Sequence, residues 1–439
     1  MQTLKIHFLG AAGTVTGSKF YLDTPEAKIM IDCGMFQGLK ELRELNWNPL
    51  PINTNEIDFV LLTHGHLDHT GYLPRLVREG FKGKIIGTAP TLAITQIILL
   101  DSAKIHEEEA EQANREGYSK HDPALPFYSI TEARETIGLF KEEKRDVWIN
   151  LSAHIRFRFN FNGHIIGATF IELEIFGKLF VFSGDIGRQK DSLLAPPDRP
   201  LWADYLFVES TYGNKLHPSE NVEEILIALV DETIYKRGNL IIPSFAVERL
   251  QTLMYLLWQL YRKNKIPNIP IFIDSPMGTN VLSVFKRFQT WHKLTVSEYN
   301  AMCNHFSITS SYADTWKNID DPRPKIIIAG SGMITGGRVL TYLKQLIDID
   351  TTTVLLVGYQ AEGTRGRALL EGTPELKIFG KYYTVKAKIA HLESLSAHAD
   401  QTELLHWLEN IKNIPETTFL VHGESAALDA LKTKIRGLY

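Results

Sequence analysis

His64, His66, Asp68 and His69 stand together in the segment LLTHGHLDHTG, residues 61 to 71. Imidazole nitrogen and carboxylate oxygen are usual ligands of zinc, and a catalytic zinc takes three protein ligands while leaving a position for water. Four such groups on one loop are more than one ion takes from a single place, so the segment points to two metals. Further donors stand beside glycines elsewhere: His164 in FNGHIIGAT, Asp185 in FVFSGDIGR and His422 in FLVHGES. Each alone reads more simply as a buried or turn residue. Alongside the first segment they read as the rest of a metal-binding set.

Each donor lies on or just after a strand-like stretch. In extended chain, residues two apart face the same way, which predicts that His64, His66 and Asp68 converge on one point while His69 turns toward a neighbouring one. Gly65 and Gly71 allow the tight path, and a helix is expected from about Tyr72. The first 200 residues carry short strands, among them LKIHFLG, IMIDCG, FVLLTH, KIIGTA, HIRFRFN, TFIELEIFG and LFVFSGD, with helical stretches interspersed. The acidic run Glu107 to Glu111 reads as a solvated helix face. From about residue 210 the rhythm becomes strand, turn, long helix, and its near-continuous apolar strands predict a parallel sheet covered on both faces. Donor-bearing sequence returns in SLSAHAD and FLVHGES, which predicts that the second domain is inserted into the first.

The chain-wide quantities set bounds on function. At 439 residues the chain exceeds what one core supports, and 44% hydrophobic with 22% charged residues is globular composition. A formal net charge of -4 gives no overall positive field to recruit nucleic acid or an anionic membrane, so any polyanion contact is local. The two cysteines, Cys33 and Cys303, stand far apart, which argues against a disulfide framework or thiolate zinc sites and for a reducing compartment. With neither a secretion signal nor an apolar stretch approaching 18 residues, a soluble cytoplasmic protein without a membrane partner is expected.

The order HGHLDH, NGHIIGAT, SGDIGR, with IDCG at Asp32 upstream, resembles the metallo-β-lactamase fold, an αβ/βα sandwich of two mixed sheets with two metals at its edge. FVESTYG with Glu209, SLSAHAD with His398 and LVHGES with His422 resemble motifs A, B and C of the β-CASP subfamily, whose members cleave nucleic acid phosphodiesters. GAAGTVTGS, PSFAVERLQ, AGSGMITGGR and GTRGR extend the likeness over nearly the whole chain, with a departure at Arg365 and a missing charged residue in GAAGTVTGS. The resemblance implies an α/β protein: a metallo-β-lactamase domain at 1–208 and 385–439 carrying both metals, and an inserted parallel-sheet β-CASP domain at 209–384. It implies His64, His66 and His164 on one metal, Asp68, His69 and His422 on the other, and Asp185 bridging. A histidine at motif C implies RNA rather than DNA as substrate. The absence of an RNA-binding extension before the first strand resembles the short bacterial type of ribonuclease.

The activity so implied is a zinc-dependent ribonuclease that uses a two-metal-activated hydroxide and leaves 5′-phosphate and 3′-hydroxyl. Zinc lowers the pKa of bound water to about 7, so no separate strong base is needed. Asp68 and Asp185 act through the metals, and His398 with Glu209 is the expected pair that protonates the leaving oxygen. Asp32 and Asp400 are expected behind the ligands or as capping groups rather than as ligands, Asp32 behind them, while His391 and His406 read as surface or core histidines. Ser331, Gly332 and Thr335 form a strand–turn–helix start that suits a phosphate of the RNA or is a purely structural turn, and no acidic residue ends TVLLVGYQ as a dinucleotide site would require. Lys386 and Lys388 share a strand face that suits the backbone of single-stranded RNA, or are edge-strand lysines. The RNA is expected to thread between the two domains. Rival readings are a hydrolase of DNA, a lactone or a thioester, and a silent RNA-binding subunit, which would have lost ligands. Manganese in place of zinc, internal or stepwise 5′ cutting, and a homodimer are all compatible with the same residues.

Overall fold

Alternation in HIRFRFN and TFIELEIFG produces the antiparallel strands Ile155–Phe161 and Thr169–Ile175, which set Arg156 opposite Glu174 and Arg158 opposite Glu172. Phe157, Phe159, Ile171 and Leu173 fill the other face and are fully buried. Such cross-strand pairing with one face buried fixes the register, because a one-residue slip would turn the aromatic face to water. The computed structural model describes residues 4–117 and 121–437; residues 1–3 of the expected first strand lie outside them.

Two compact units divide the chain, Met1–Leu216 with His398–Tyr439 and, inserted, His217–Ala397. The first unit holds two mixed six-stranded sheets. One runs Lys5–Phe8, Phe20–Asp23, Lys28–Ile31, Phe59–Leu61, Lys84–Gly87, Phe140–Glu142, antiparallel at first and parallel from the third strand on. The other runs Thr417–Val421, Tyr205–Glu209, Lys178–Phe182, Thr169–Ile175, Ile155–Phe161, Ile149–Asn150. Phe20, Ile29, Ile31 and Leu61 from the first meet Phe157, Phe182 and Phe207 from the second in one core. Helices Leu73–Arg78 and Ala89–Glu116 contribute to the core on one outer face, and Gln401–Leu408 with Ser425–Ile435 to that on the other. This is the expected αβ/βα sandwich. Of the two roles left open for Asp400, the structure shows the cap: it forms a capping box with Glu403 at the start of its helix.

The second unit holds a six-stranded sheet, all parallel, in the order Ser307–Ile308, Ile271–Asp274, Lys325–Ala329, Asn239–Pro243, Thr352–Val357, Lys388–Leu392. As compact units the two divide at 216/217 and 397/398, beyond the expected 209 and 385. Lys388–Leu392 pairs in parallel with Thr353–Val357, so residues 385–397 belong to the inserted unit, while the first unit extends to Leu216. The donor-type residues marked a change of chemistry, but backbone pairing along an open sheet edge decides the architecture. Among the described residues no helix is long and apolar enough to cross a membrane.

One buried charge is unexpected. The Lys19 side chain lies in the first unit at 1% exposure, its ammonium donating to the Gly34 carbonyl at 2.6 Å and standing 4.5 Å from the Phe36 ring centre. Burial pushes its pKa down to about 8 from 10.5, with Cys33 pulling slightly the other way. Between those two values the unfolded chain holds a proton that the folded chain has released, so this residue's contribution to stability rises with pH. Relative to a Lys19→Met variant, the wild-type protein is therefore expected to gain on the order of 3 kcal/mol between pH 7.5 and 10.5. Urea midpoints of both proteins across that range check this, and parallel curves would refute a buried, proton-shedding lysine.

Candidate functional site

The strand Phe59–Leu61 delivers the chain to Thr63 and His64, and His66 is still extended at φ -63° and ψ 154°. Residues Leu67–Thr70 then turn into a short helix. That turn corrects the expectation that Asp68 points with His64 and His66, because extended alternation ends at His66 and helical rotation carries Asp68 to the side of His69. Two donor groups result: His64, His66, His164 and Asp185 have ligand atoms within 4.8 Å of one another, and so do Asp68, His69 and His422. Asp185 joins the two. Its Oδ2 lies 3.4 Å from His64 Nε2 and 3.5 Å from His164 Nε2, and its Oδ1 lies 3.2 Å from His69 Nε2 and 3.6 Å from His422 Nε2.

The donors fit divalent metal ions. His64 Nε2 and His164 Nε2 both approach His66 Nδ1, at 3.1 and 3.2 Å, and His69 Nε2 approaches His422 Nε2 at 3.1 Å. Ring nitrogens so crowded cannot all be satisfied by shared protons, whereas a central cation takes a lone pair from each. Asp185 Oδ1 is buried and, although His69 Nε2 and His422 Nε2 lie within 3.6 Å, makes no well-aligned hydrogen bond, as suits an oxygen that a cation satisfies. Burial pushes His64 down to about 3 and His66 to about 4, and holds His164 well below the usual range, which leaves neutral imidazoles in the ligating form. Burial also works against charge on His69, but Asp185, Asp32 and Asp68 outweigh it and raise its pKa. The carboxyls of Asp68 and Asp185 are driven up by burial and down, more strongly, by the histidines around them.

Groups behind the donors aim them. Asp32 Oδ2 takes a 2.7 Å contact from His69 Nδ1 and accepts from the Thr63 hydroxyl at 2.8 Å, and that hydroxyl lies 3.1 Å from His64 Nδ1. One carboxylate thus touches a donor of one group directly and reaches a donor of the other through the Thr63 hydroxyl. Asp32 and His422 both have positive φ, 56° and 53°, strained values for residues other than glycine. Gly34 explains the tight approach here, since a Cβ there would stand 1.5 Å from the Asp68 carbonyl oxygen. Three supporting residues escaped the sequence reading. Thr63 and Thr211, the latter 3.1 Å from His422 Nδ1, adjoin residues singled out there, but only the fold shows what their hydroxyls touch. Asn162 donates to the Ser183 carbonyl at 2.6 Å and ties two strand ends together.

His398 and Glu209 meet as expected, with Nδ1 to Oε1 at 3.2 Å, and His398 Nε2 stands 3.9 Å from Asp185 Oδ2. Glu209 also accepts from the backbone N–H groups of Ile186 and Thr211, so its position is fixed from three sides. Burial alone would lower the His398 pKa, but the Glu209 charge and hydrogen bond, with Asp185 and Asp68, raise it to about 9. These carboxylates favour the protonated form of a partly exposed ring that stands beside Asp185.

The expected substrate contacts are in the inserted unit. Ser331 Oγ accepts from the backbone N–H groups of Thr335 and Gly336, which commits to the loop itself two donors that a phosphate would use. Arg365, the departure from the family pattern, donates to the Ile334, Thr335 and Lys377 carbonyls and braces this loop. Gly332 packs under the Phe245 ring. Lys386 precedes the strand that begins at Lys388, and Lys388 is engaged by Glu232 at 2.6 Å. His391 contacts the Gly358 carbonyl and His406 contacts Glu409, in line with their structural reading.

Three family models match the chain: the metallo-beta-lactamase superfamily over residues 13–216, the Beta-Casp domain over 250–369, and the Zn-dependent metallo-hydrolase RNA specificity domain over 382–439. A ribonuclease of Thermus thermophilus is 34% identical over 436 residues, spanning 98% of this chain and 95% of that protein. The transcription termination factor FttA of Methanocaldococcus jannaschii is 30% identical over 454 residues, 99% of this chain and 69% of that protein. The cleavage and polyadenylation specificity factor 73 of Drosophila melanogaster is 31% identical over 444 residues, 99% of this chain and 62% of that protein. A solved structure of a protein of unknown function from Enterococcus faecalis shares the fold, with a TM-score of 0.53 at 14% identity over 98% of this chain and 96% of that one.

Because Asp32 orients a donor of each group, Asp32→Asn is expected to weaken metal retention by about ten- to a hundredfold while leaving every ligand in place. Competitive chelator titration followed by elemental analysis measures it. Wild-type retention in the variant would remove Asp32 from the supporting role.

Proposed function

Because the chain belongs to the metallo-β-lactamase superfamily, in its β-CASP branch, and is a metal-dependent hydrolase, we propose that it is a ribonuclease acting through two zinc ions on single-stranded RNA. The observation that carries this reading is the His398–Glu209 pair beside the bridging Asp185, an acid placed next to two donor groups. His64, His66 and His164 would hold one ion and Asp68, His69 and His422 the other, with Asp185 placed between the two groups to serve both. Bound there, the ions supply a water that is acidic near pH 7 and draw charge from the phosphoryl oxygens.

The chain's own residues do the remainder. Asp185 and Asp68 fix where the nucleophile stands, and Asp32 keeps His69 turned toward its partners. His398 gives its proton to the departing 3′ oxygen, leaving a 5′-phosphate and a 3′-hydroxyl, and Glu209 stabilises the protonated ring until then. Of the expected RNA contacts, Lys386 and Thr335 are exposed, and a backbone phosphate is their proposed partner. The complete donor set favours an enzyme over a silent subunit. Two unpaired thiols, Cys33 and Cys303, suit a reducing cytoplasm.

His398→Ala is expected to lower the cleavage rate of a 3′-labelled single-stranded RNA by about a hundred- to ten-thousandfold with the metal content unchanged. A chelator is expected to abolish cleavage in the wild-type protein. The product ladder then separates internal cutting from stepwise digestion. Full activity in His398→Ala would remove it as the acid, and intact RNA with the metals retained would overturn the ribonuclease reading.

A further inference from the structure

The carboxyl edge of the parallel sheet in the inserted unit carries an aromatic surface on the helix Tyr312–Asp320, which begins just after the edge strand Ser307–Ile308. Tyr312 is 60% exposed and Trp316, one turn later on the same helix, is 43% exposed. The Tyr312 ring is held from one side: the Arg338 guanidinium lies 3.8 Å from its centre. Arg338 is itself fixed, donating to the Thr315 hydroxyl at 2.6 Å and standing 3.4 Å from the buried Asp274 carboxylate. Asp274 in turn accepts from Thr315 and Tyr342 at 2.6 and 2.8 Å. A carboxylate at the end of the strand Ile271–Asp274 thus locks a guanidinium, and the guanidinium locks a ring that remains largely open to water. In open parallel sheets this edge is where ligands bind.

We propose that Tyr312, braced by Arg338 and Asp274, is a stacking platform for a base of single-stranded RNA, with Trp316 extending it. This rests on the ribonuclease reading and deepens it by assigning a base contact. A flat ring whose orientation is already fixed loses little freedom when a base settles on it, so the contact favours binding without reading sequence. Arg338 adds a cation beneath the same ring.

The test measures binding of a cleavage-resistant phosphorothioate oligoadenylate, and of the same oligomer made abasic, to wild-type protein, Tyr312→Ala and Tyr312→Phe. Expected is a loss of about ten- to a hundredfold in Tyr312→Ala for the base-carrying oligomer, no loss for the abasic one, and wild-type affinity within about twofold in Tyr312→Phe. Hydrolysis of bis(p-nitrophenyl) phosphate is expected to be equal in all three proteins, which excludes misfolding. Unchanged affinity in Tyr312→Ala, or an equal loss for both oligomers, overturns the platform while the ribonuclease reading stands. Cleavage of no RNA by the wild-type protein overturns that reading, and the platform with it.

Discussion

The constraint on which the first unit depends is the burial of Asp185, a carboxylate at 2% exposure with His64, His69, His164 and His422 around it. An anion out of water is tolerated only when it is paired, and both oxygens of this one face histidine ring nitrogens at 3.2 to 3.6 Å. The surrounding donors, drawn from separate strand ends and loops, are arranged as ligands arrange about cations. The two sheets serve that arrangement. Their aromatic core holds the strand ends rigid, and the ends deliver the donors to one place.

Two of the strained backbone positions lie where this delivery is most demanding. Asp32 and His422 carry the left-handed backbone that glycine would adopt without strain, yet neither can be glycine because each supplies a side chain to the centre. Lys19 adds a charge held at a reduced pKa, bonded to the carbonyl of Gly34, whose Cα packs against the Asp68 backbone. The sandwich core must offset these unfavourable terms.

The identities of the donors were legible in the sequence because few other roles explain HGHLDH beside glycine-flanked His164, Asp185 and His422. Their grouping was less so. Strand alternation assigns Asp68 to the wrong side, since a four-residue helical turn after His66 is too short to leave a periodic signal. His69 and His422 lie 353 residues apart in sequence and 3.1 Å apart in space, a pairing that only the resemblance implied. The parallel sheet was readable from its apolar runs, but its last strand, with Lys388 and His391 exposed, looked like surface chain of the other domain. Lys19 left no signal, because nothing local distinguishes a buried lysine from an exposed one.

A chain of net charge -4 has no general field with which to hold a polyanion. Lys388 is already neutralised by Glu232, and Arg338 by Asp274, so two of the cations nearest the expected contacts are committed within the fold. For the proposed single-stranded RNA, interactions that do not need free charge then carry more of the affinity. Stacking on a fixed aromatic ring is one, and it responds weakly to salt, unlike counterion release. The Arg338–Asp274 pair makes sense on this view: the guanidinium serves to hold a ring still, which converts a cation that salt would screen into a flat surface that it would not.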